Sequence, residues 1–307
     1  MGDRDRRLPE SPTLSGSQLW QWWRQARTDA IAAEISPIEL DRLLEAFSDL
    51  ERLDLRWESF RDRPQIALKR PWPEIVELWD RRLKERVPLQ YLLGTAHWRH
   101  FSLTVAPGVL IPRPETELIV DLARGAVEEI GKNLAEGDWA DLGTGSGAIA
   151  LGLAEVFPKA TIHAVDRSHQ ALAIARHNAK ISGWEHRIRF YQGSWWTPLT
   201  FLKGEVCGVV SNPPYIPSEE VLNLQPEVTR HEPHEALDGG SDGLDCIRHL
   251  AAASPDYLRS GGIFIVEMMA GQGEAVAEIL RSQGNYHSIQ IVPDLAGLDR
   301  FAIAHRK

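Results

Sequence analysis

The sequence predicts a mainly parallel α/β sheet with helices on both faces, preceded by a smaller helical domain. Two observations carry this. From Trp139 onward, short apolar runs alternate with helix-like runs, and turn-forming glycines and prolines stand between them. Before residue 85 the apolar residues instead recur at helical spacing.

The first roughly 17 residues are charged, then polar, and are expected to form a loose tail. They contain no apolar stretch resembling a secretory signal. Leu19, Trp22, Trp23, Ala26 and Ala30 follow at helical spacing, as do Leu40, Leu43, Leu44 and Phe47. Leu50, Leu53 and Leu55 do so less regularly. Ser36-Pro37 opens one helix, with serine as the cap and proline in the first turn. Pro73 opens another, through Ile75, Val76, Leu78, Trp79 and Leu83. Residues 1–85 therefore read as a helical bundle, with its tryptophans as core packing.

Residues 86–112 read as a linking β-hairpin. Phe101–Val105 alternates, Pro107-Gly108 turns, and Val109–Ile111 returns. Residues 113–307 form the α/β domain. Glu115–Glu129 is its first helix. Strands are expected at 139–142, 161–165, 187–191, 206–210 and 262–267, with helices at 148–157, 170–182, 246–258 and 274–283. The runs 288–292 and 301–304 have no helix between them and read as an antiparallel pair that closes the sheet.

Two turns in this domain carry chemistry. Asp141-Leu142-Gly143-Thr144-Gly145-Ser146-Gly147 precedes a helix-like run. Alternate glycines let backbone lie against a ligand, and the helix points free N–H groups at the same spot. The spacing is not that of a dinucleotide fingerprint, and the P-loop lysine is absent. Asp166 stands 19 residues past Gly147, at the end of a strand, where a carboxylate can reach a ribose diol or cap a helix. Asn212-Pro213-Pro214-Tyr215 follows an apolar strand. Its two prolines donate no N–H and stop ladder pairing. The Asn212 amide, the Pro213 carbonyl and the Tyr215 ring could together grip a planar group bearing an NH₂. The carboxyl ends of the strands bring 143–147, 166, 193–195 and 212–215 to one edge.

Composition narrows the class. Hydrophobic residues make up 43% and charged residues 25%, as in globular proteins. There is no apolar run long enough to span a membrane, and a cytoplasmic protein is expected. Cys207 and Cys246 read as buried structural thiols, and no metal site is expected. The net charge is −9, and neither half of the chain carries the basic excess of a phosphate-binding surface.

The glycine loop, the ribose acid and the N-P-P-Y turn resemble those of S-adenosylmethionine-dependent methyltransferases. IPRPETE at Ile111–Glu117, DLGTGSGAIAL, SNPPYI, and EPHEALDGGSDGLDCIR at Glu232–Arg248 narrow the resemblance to the release factor glutamine methyltransferases (the HemK/PrmC family). PLQYLLG at Pro88–Gly94 and QGEAV at Gln272–Val276 agree. The resemblance is close over about residues 88–307. It implies a Rossmann-like class I methyltransferase domain, S-adenosyl-L-methionine as cofactor, and peptide chain release factors as protein substrates, with no direct nucleic-acid or membrane partner. The methylated group would be the glutamine amide of a Gly-Gly-Gln motif.

Cofactor contacts are expected from Asp141, Gly143, Thr144, Gly145, Ser146, Gly147, Asp166, Trp195 and Asn212, and substrate contacts from Asn212, Pro213, Pro214 and Tyr215. Asn212 and Pro213 would be catalytic, as acceptors that orient the amide. Ser194 stands where the family frequently has an acid, so the adenine contact is expected from backbone at Trp195. Glu267-Met268-Met269-Ala270-Gly271 also departs from the family pattern, and that loop is given no site role. Two other readings are weighed: a nucleic-acid amino-group methyltransferase, and a catalytically silent cofactor-binding scaffold.

Overall fold

The structure is a computed structural model that describes residues 12–307. The chain divides into two compact units, Met1–Leu93 and Gly94–Lys307.

In the first unit a two-residue strand β1 (Thr13–Leu14) pairs antiparallel with β2 (Ile66–Ala67). Residues 1–11 of the expected loose tail lie outside the described residues; the rest of it is structured, with Thr13–Leu14 in β1 and Ser15 capping α1 (Gly16–Ala32) in a capping box with Gln18. Gly16 is required there: a Cβ would lie 1.9 Å from the Phe60 carbonyl oxygen. Leu19, Trp23, Ala26 and Ala30 form the buried stripe of this helix. Helix α2 (Pro37–Phe47) buries Leu40, Leu43, Leu44 and Phe47. Ser36 occupies its cap position without a side-chain cap bond, so Pro37 is what starts it. Helix α3 (Arg52–Trp57) buries only Leu55 and leaves Leu53 and Trp57 exposed. Trp57 is therefore an exception to the core reading of the tryptophans, whereas Trp23 and Trp79 are buried.

Helix α4 (Trp72–Lys84) brings Arg82 onto Glu39 of α2 through two hydrogen bonds of 2.6 and 3.0 Å. Such a paired fork satisfies a buried guanidinium that would otherwise destabilise the bundle. Helix α5 (Leu89–Leu93) ends the unit and adds Leu89 to the same core.

The second unit begins with a hairpin, but not the expected one. It pairs β3 (Thr95–Trp98) with β4 (Phe101–Thr104), and Arg99 at φ 52° makes the turn. Residues 109–111 form no strand. The alternation runs through Ala96, Trp98, Phe101 and Leu103, all buried, so the register is set by the core rather than by Pro107-Gly108. The hairpin is also more than a connection. Trp98, Phe101 and Leu103 share a core with Ile119, Val120 and Leu151.

Among the described residues, this unit holds a seven-stranded sheet. Chain order is α6 (Leu118–Ile130), β5 (Asp138–Leu142), α7 (Ala148–Val156), β6 (Thr161–Asp166), α8 (His169–Ile181), β7 (Ile188–Gln192) and β8 (Val206–Ser211). Short helices α9 (Ser218–Val221) and α10 (Pro226–His231) follow. The chain then runs through α11 (Asp245–Ala253), β9 (Leu258–Glu267), α12 (Gly273–Gln283), β10 (Tyr286–Pro293) and β11 (Asp299–Arg306). Strand order is β10-β11-β9-β8-β5-β6-β7. From β7 to β9 all neighbours are parallel, and β11 inserts antiparallel between β9 and β10. Helix α11 stops five residues before the expected Leu258, because Pro255 cannot continue it and a tight turn at Ser254–Asp256 leads into β9.

One face of the sheet packs the hairpin, α6 and α7, and the other packs α11, α12 and the segment around Trp196 and Leu199. Trp139 of β5 is fully buried and stacks on Phe157 with centroids 4.6 Å apart. It lies so close over β8 that a Cβ at Gly208 would sit 2.4 Å from its ring. The chain leaves β5 for β6 and β7 on one side, then returns to β8 on the other. The crevice at that reversal, outside the carboxyl ends of β5 and β8, is where such sheets bind ligands.

Candidate active site

A cavity of about 400 Å³ lies at this reversal, a size typical of small-molecule sites. Gly143, Gly145, Asp166, Trp195, Asn212 and Pro214 are among its lining residues. These are six of the residues expected from the sequence.

The first wall is the loop after β5. Gly143, Gly145 and Gly147 all have positive φ, between 54° and 84°. A side chain at Gly145 would meet nothing within 4 Å, so it would project into open space beside the cavity. The loop is braced from beneath. Asp141 is fully buried, and its Oδ2 accepts from the Thr144 hydroxyl at 2.6 Å and the Ala150 N–H at 3.0 Å. Its Oδ1 has no partner. Burial pushes this carboxyl up to about 7, against the pull of the two donors. Asp141, Thr144, Ser146 and Gly147 do not line the cavity; they shape the loop that does.

Asp166 ends β6, next to β5. Its Oδ2 accepts from Gly145 N–H at 2.9 Å and its Oδ1 from Ser168 N–H at 2.8 Å. The helix cap itself is Ser168, whose hydroxyl accepts from Ala171 N–H. Each carboxylate oxygen of Asp166 keeps a lone pair for a further donor. Burial raises this carboxyl above its ordinary value despite the backbone donors. Hydroxyl donors from a ligand would offset that cost.

Trp195 follows β7 at φ 50°, a left-handed conformation uncommon for a bulky side chain. Its ring packs over Gly143. Strain of this kind clusters at ligand sites.

The opposite wall follows β8. The Asn212 NH₂ donates to Thr116 Oγ1 at 3.0 Å. Thr116 belongs to the Ile111–Glu117 segment and is buried. The Tyr215 hydroxyl donates to Glu267 Oε1 at 3.1 Å. Burial raises both the Tyr215 phenol and Glu267, the latter to about 7. Pro213 and Tyr215 are not on the cavity wall, whereas Pro214 is.

The sequence reading missed several residues. Glu267, given no role, touches Tyr215; its signal was an acid closing the apolar run Ile263–Val266. Cys246, expected to be a buried structural thiol, is only partly buried and lines the cavity, because it sits in the first turn of α11 at the rim. Gly108–Leu110 also line the cavity instead of forming a strand. The segment 232–238 closes the rim. Glu232 accepts from Arg113 at 2.7 Å and from Ile111 N–H at 3.3 Å, and Glu235 pairs with Arg167 at 2.5 Å. Among the described residues no cluster of potential metal ligands occurs, and no helix is long and apolar enough to cross a membrane.

The methyltransferase small domain family matches residues 121–240. A release factor glutamine methyltransferase of Synechocystis sp. is 52% identical over 95% of this chain and 97% of its own. A protein of the same name from Thermosynechococcus vestitus is 47% identical over 95% of this chain and 99% of its own. The chain belongs to the release factor glutamine methyltransferase family. It is thus a methyltransferase, with the class I fold. The hMettl16 catalytic domain shares that fold with a TM-score of 0.53 at 14% identity, covering 86% of this chain and 88% of its own.

Proposed function

We propose that this enzyme methylates the side-chain amide nitrogen of glutamine in the Gly-Gly-Gln motif of peptide chain release factors, with S-adenosyl-L-methionine as methyl donor. The observation that carries this reading is the Asn212 amide. Its NH₂ is committed to Thr116, so Oδ1 is the end left to accept from a substrate N–H.

The cavity residues fit the cofactor. The open face of Gly145 gives backbone room to approach, and the Asp166 carboxylate keeps acceptor capacity for ribose hydroxyls. The Trp195 ring supplies an aromatic surface for the base. Asp141, Thr144, Ser146 and Gly147 act through the loop they hold. When bound, S-adenosyl-L-methionine would supply an electrophilic methyl group and leave as S-adenosyl-L-homocysteine, its sulfur keeping the electron pair of the broken sulfur–methyl bond; the amide nitrogen would supply the electron pair for the new N–C bond and release a proton to solvent.

A glutamine amide is a poor nucleophile because its lone pair is delocalised. The Asn212 Oδ1 and the Pro213 carbonyl each accept one N–H of the substrate, which fixes the nitrogen's orientation. Alignment of this kind can supply about 7–11 kcal/mol of a barrier. The same acceptors stabilise positive charge as it develops on nitrogen. Tyr215 stands behind the cavity wall, its hydroxyl held by Glu267, and supports the turn that carries Asn212. The division of the chain into a helical domain (1–85), a linker (86–112) and a methyltransferase domain (113–307) belongs to the same reading, with the helical domain helping to engage the release factor in the cytoplasm.

The test is to incubate the enzyme with labelled S-adenosylmethionine and either release factor or total nucleic acid. Label on the release factor is expected. Label confined to nucleic acid would replace this reading with the amino-group methyltransferase of bases.

A further inference from the structure

The turn between β10 and β11 shows two leucines to solvent: Leu295 is 97% exposed and Leu298 49%. Single surface leucines are ordinary. These two stand four positions apart on a turn that is fastened from within. The Asp294 side chain is nearly buried, and its Oδ1 accepts from the N–H of Ala296 at 2.9 Å and of Leu298 at 3.0 Å. The Asp294 N–H donates to the Leu298 carbonyl at 2.8 Å. Gly297, at φ 80°, donates its N–H to the Asp294 carbonyl at 2.9 Å. The second carboxylate oxygen of Asp294 accepts from Arg300 Nε at 3.3 Å. A turn held this way has little freedom left to lose when a partner covers it.

The turn overhangs the edge that carries the site. Strand β11 runs against β9, so the chain enters it where the parallel strands end. Ser211 of β8 pairs with Val266 of β9, which pairs with Ala302 of β11. Asn212 is the next residue after Ser211, so it lies two strands, or about 10 Å, from β11. Leu298 precedes Phe301 by three residues, a reach of about 10 Å at most. Arg300 ties the turn to the end of β9. Its carbonyl accepts from Met268 N–H at 2.9 Å, and its Nη1 donates to the Met268 carbonyl at 3.4 Å. Glu267, next to Met268, accepts from the Tyr215 hydroxyl of the N-P-P-Y turn.

A protein that presents a glutamine to Asn212 covers more than the cavity mouth. A stable interface takes about 800 Å² on each partner, a patch about 30 Å across. Centred on Asn212, such a patch includes the turn. We propose that Leu295 and Leu298 form a docking point for the release factor, meeting an apolar surface beside its Gly-Gly-Gln loop. The contact is apolar because Leu295, Ala296 and Leu298 are what the turn shows, while Asp294 and Arg300 are turned onto each other and onto backbone. A free base or amino acid in the cavity would not reach the turn, so this contact belongs to a protein substrate. It rests on the functional reading above for the identity of that protein.

The test uses the full-length enzyme with Leu295→Ser and Leu298→Ser combined, and Leu295→Met as the conservative control. The KM for release factor should rise about tenfold or more in the double variant. Its kcat at saturating release factor should stay near wild type, as expected when binding common to ground and transition states is lost. Release factor affinity, measured by calorimetry without methyl transfer, should fall by the same factor. Cofactor affinity and the thermal midpoint should not change, and Leu295→Met should keep the wild-type KM. An unchanged KM in the double variant, with wild type labelling release factor, overturns the docking point and leaves the functional reading standing. So does a wild-type dimer that the double variant dissociates with KM unmoved, which would make the turn a contact between copies. A wild-type enzyme that binds release factor without labelling it sinks the functional reading alone, and the calorimetry of the double variant still judges the turn. A wild-type enzyme that neither binds nor labels release factor sinks both.

Discussion

On the glycine-loop wall of the cavity, the bracing side-chain hydrogen bonds span 2 to 21 residues of chain: Asp141 to Thr144 and Ala150, and Asp166 to Gly145 and Ser168. On the Asn212 wall they span 96 residues, from Asn212 to Thr116, and 52, from Tyr215 to Glu267. The first wall forms wherever β5 and β6 pair. The second exists only once β8, β9 and the Ile111–Glu117 segment are all in place. The glycine-loop wall, proposed here for the cofactor, is thus a local device, and the Asn212 wall, proposed for the substrate, is a product of the whole tertiary fold. Damage to the first should appear in binding, and damage to the second in turnover.

The largest effect expected from this contrast is on turnover. Asn212→Ala removes the acceptor proposed to face the reacting nitrogen and should cost roughly 100-fold or more in kcat. Asn212→Asp keeps an acceptor but loses the NH₂ that anchors to Thr116, and should fail as well. Cofactor affinity should change little in either. A variant that lost cofactor affinity as steeply as kcat would break the division between the walls.

Asp166→Ala should do the reverse. Loss of charge-assisted hydrogen bonds is worth about 2 kcal/mol, or some thirtyfold in cofactor affinity. Calorimetry would show it, and saturating cofactor should restore most of kcat. Unchanged affinity in a folded variant would remove Asp166 from the cofactor site.

The smallest effect is one of stability and appears on both walls. Asp141 and Glu267 are each pushed up to about 7 by burial. Both carboxyls bind a proton more tightly in the folded chain than in the unfolded one. Their contribution to stability is therefore complete below the ordinary carboxylate range and is lost as pH rises through about 7. Without cofactor, the thermal midpoint contributed by these groups should fall across that window. Asp141→Asn, which cannot ionise, should flatten the fall by a few degrees. A slope identical to wild type would mean that Asp141 does not carry its proton in the folded state.

The same contrast explains what the sequence could disclose. The glycine loop, Asp166 and the N-P-P-Y turn were legible because each is a short run whose residue types already limit the backbone. The alternating sheet was legible because its apolar runs are long and buried. Thr116 and Glu267 were not assigned roles, because nothing near either residue indicates a partner tens of residues away. The hairpin was misplaced for a related reason. Pro107-Gly108 is a strong local turn signal, but burial of Trp98, Phe101 and Leu103 decided the pairing. Helix α3 was blurred because it is six residues long and buries one leucine.

The central claim is that Asn212 orients a glutamine amide for methyl transfer. Single-turnover methylation of a release factor tests it most directly, with the product mapped by mass spectrometry and cofactor binding measured separately. Wild-type enzyme should place one methyl group on the Gly-Gly-Gln glutamine, and a release factor with alanine at that position should stay unlabelled. Asn212→Ala should bind cofactor and transfer almost nothing. Near-normal transfer by Asn212→Ala, or a methyl group mapped to any other residue, would contradict the account.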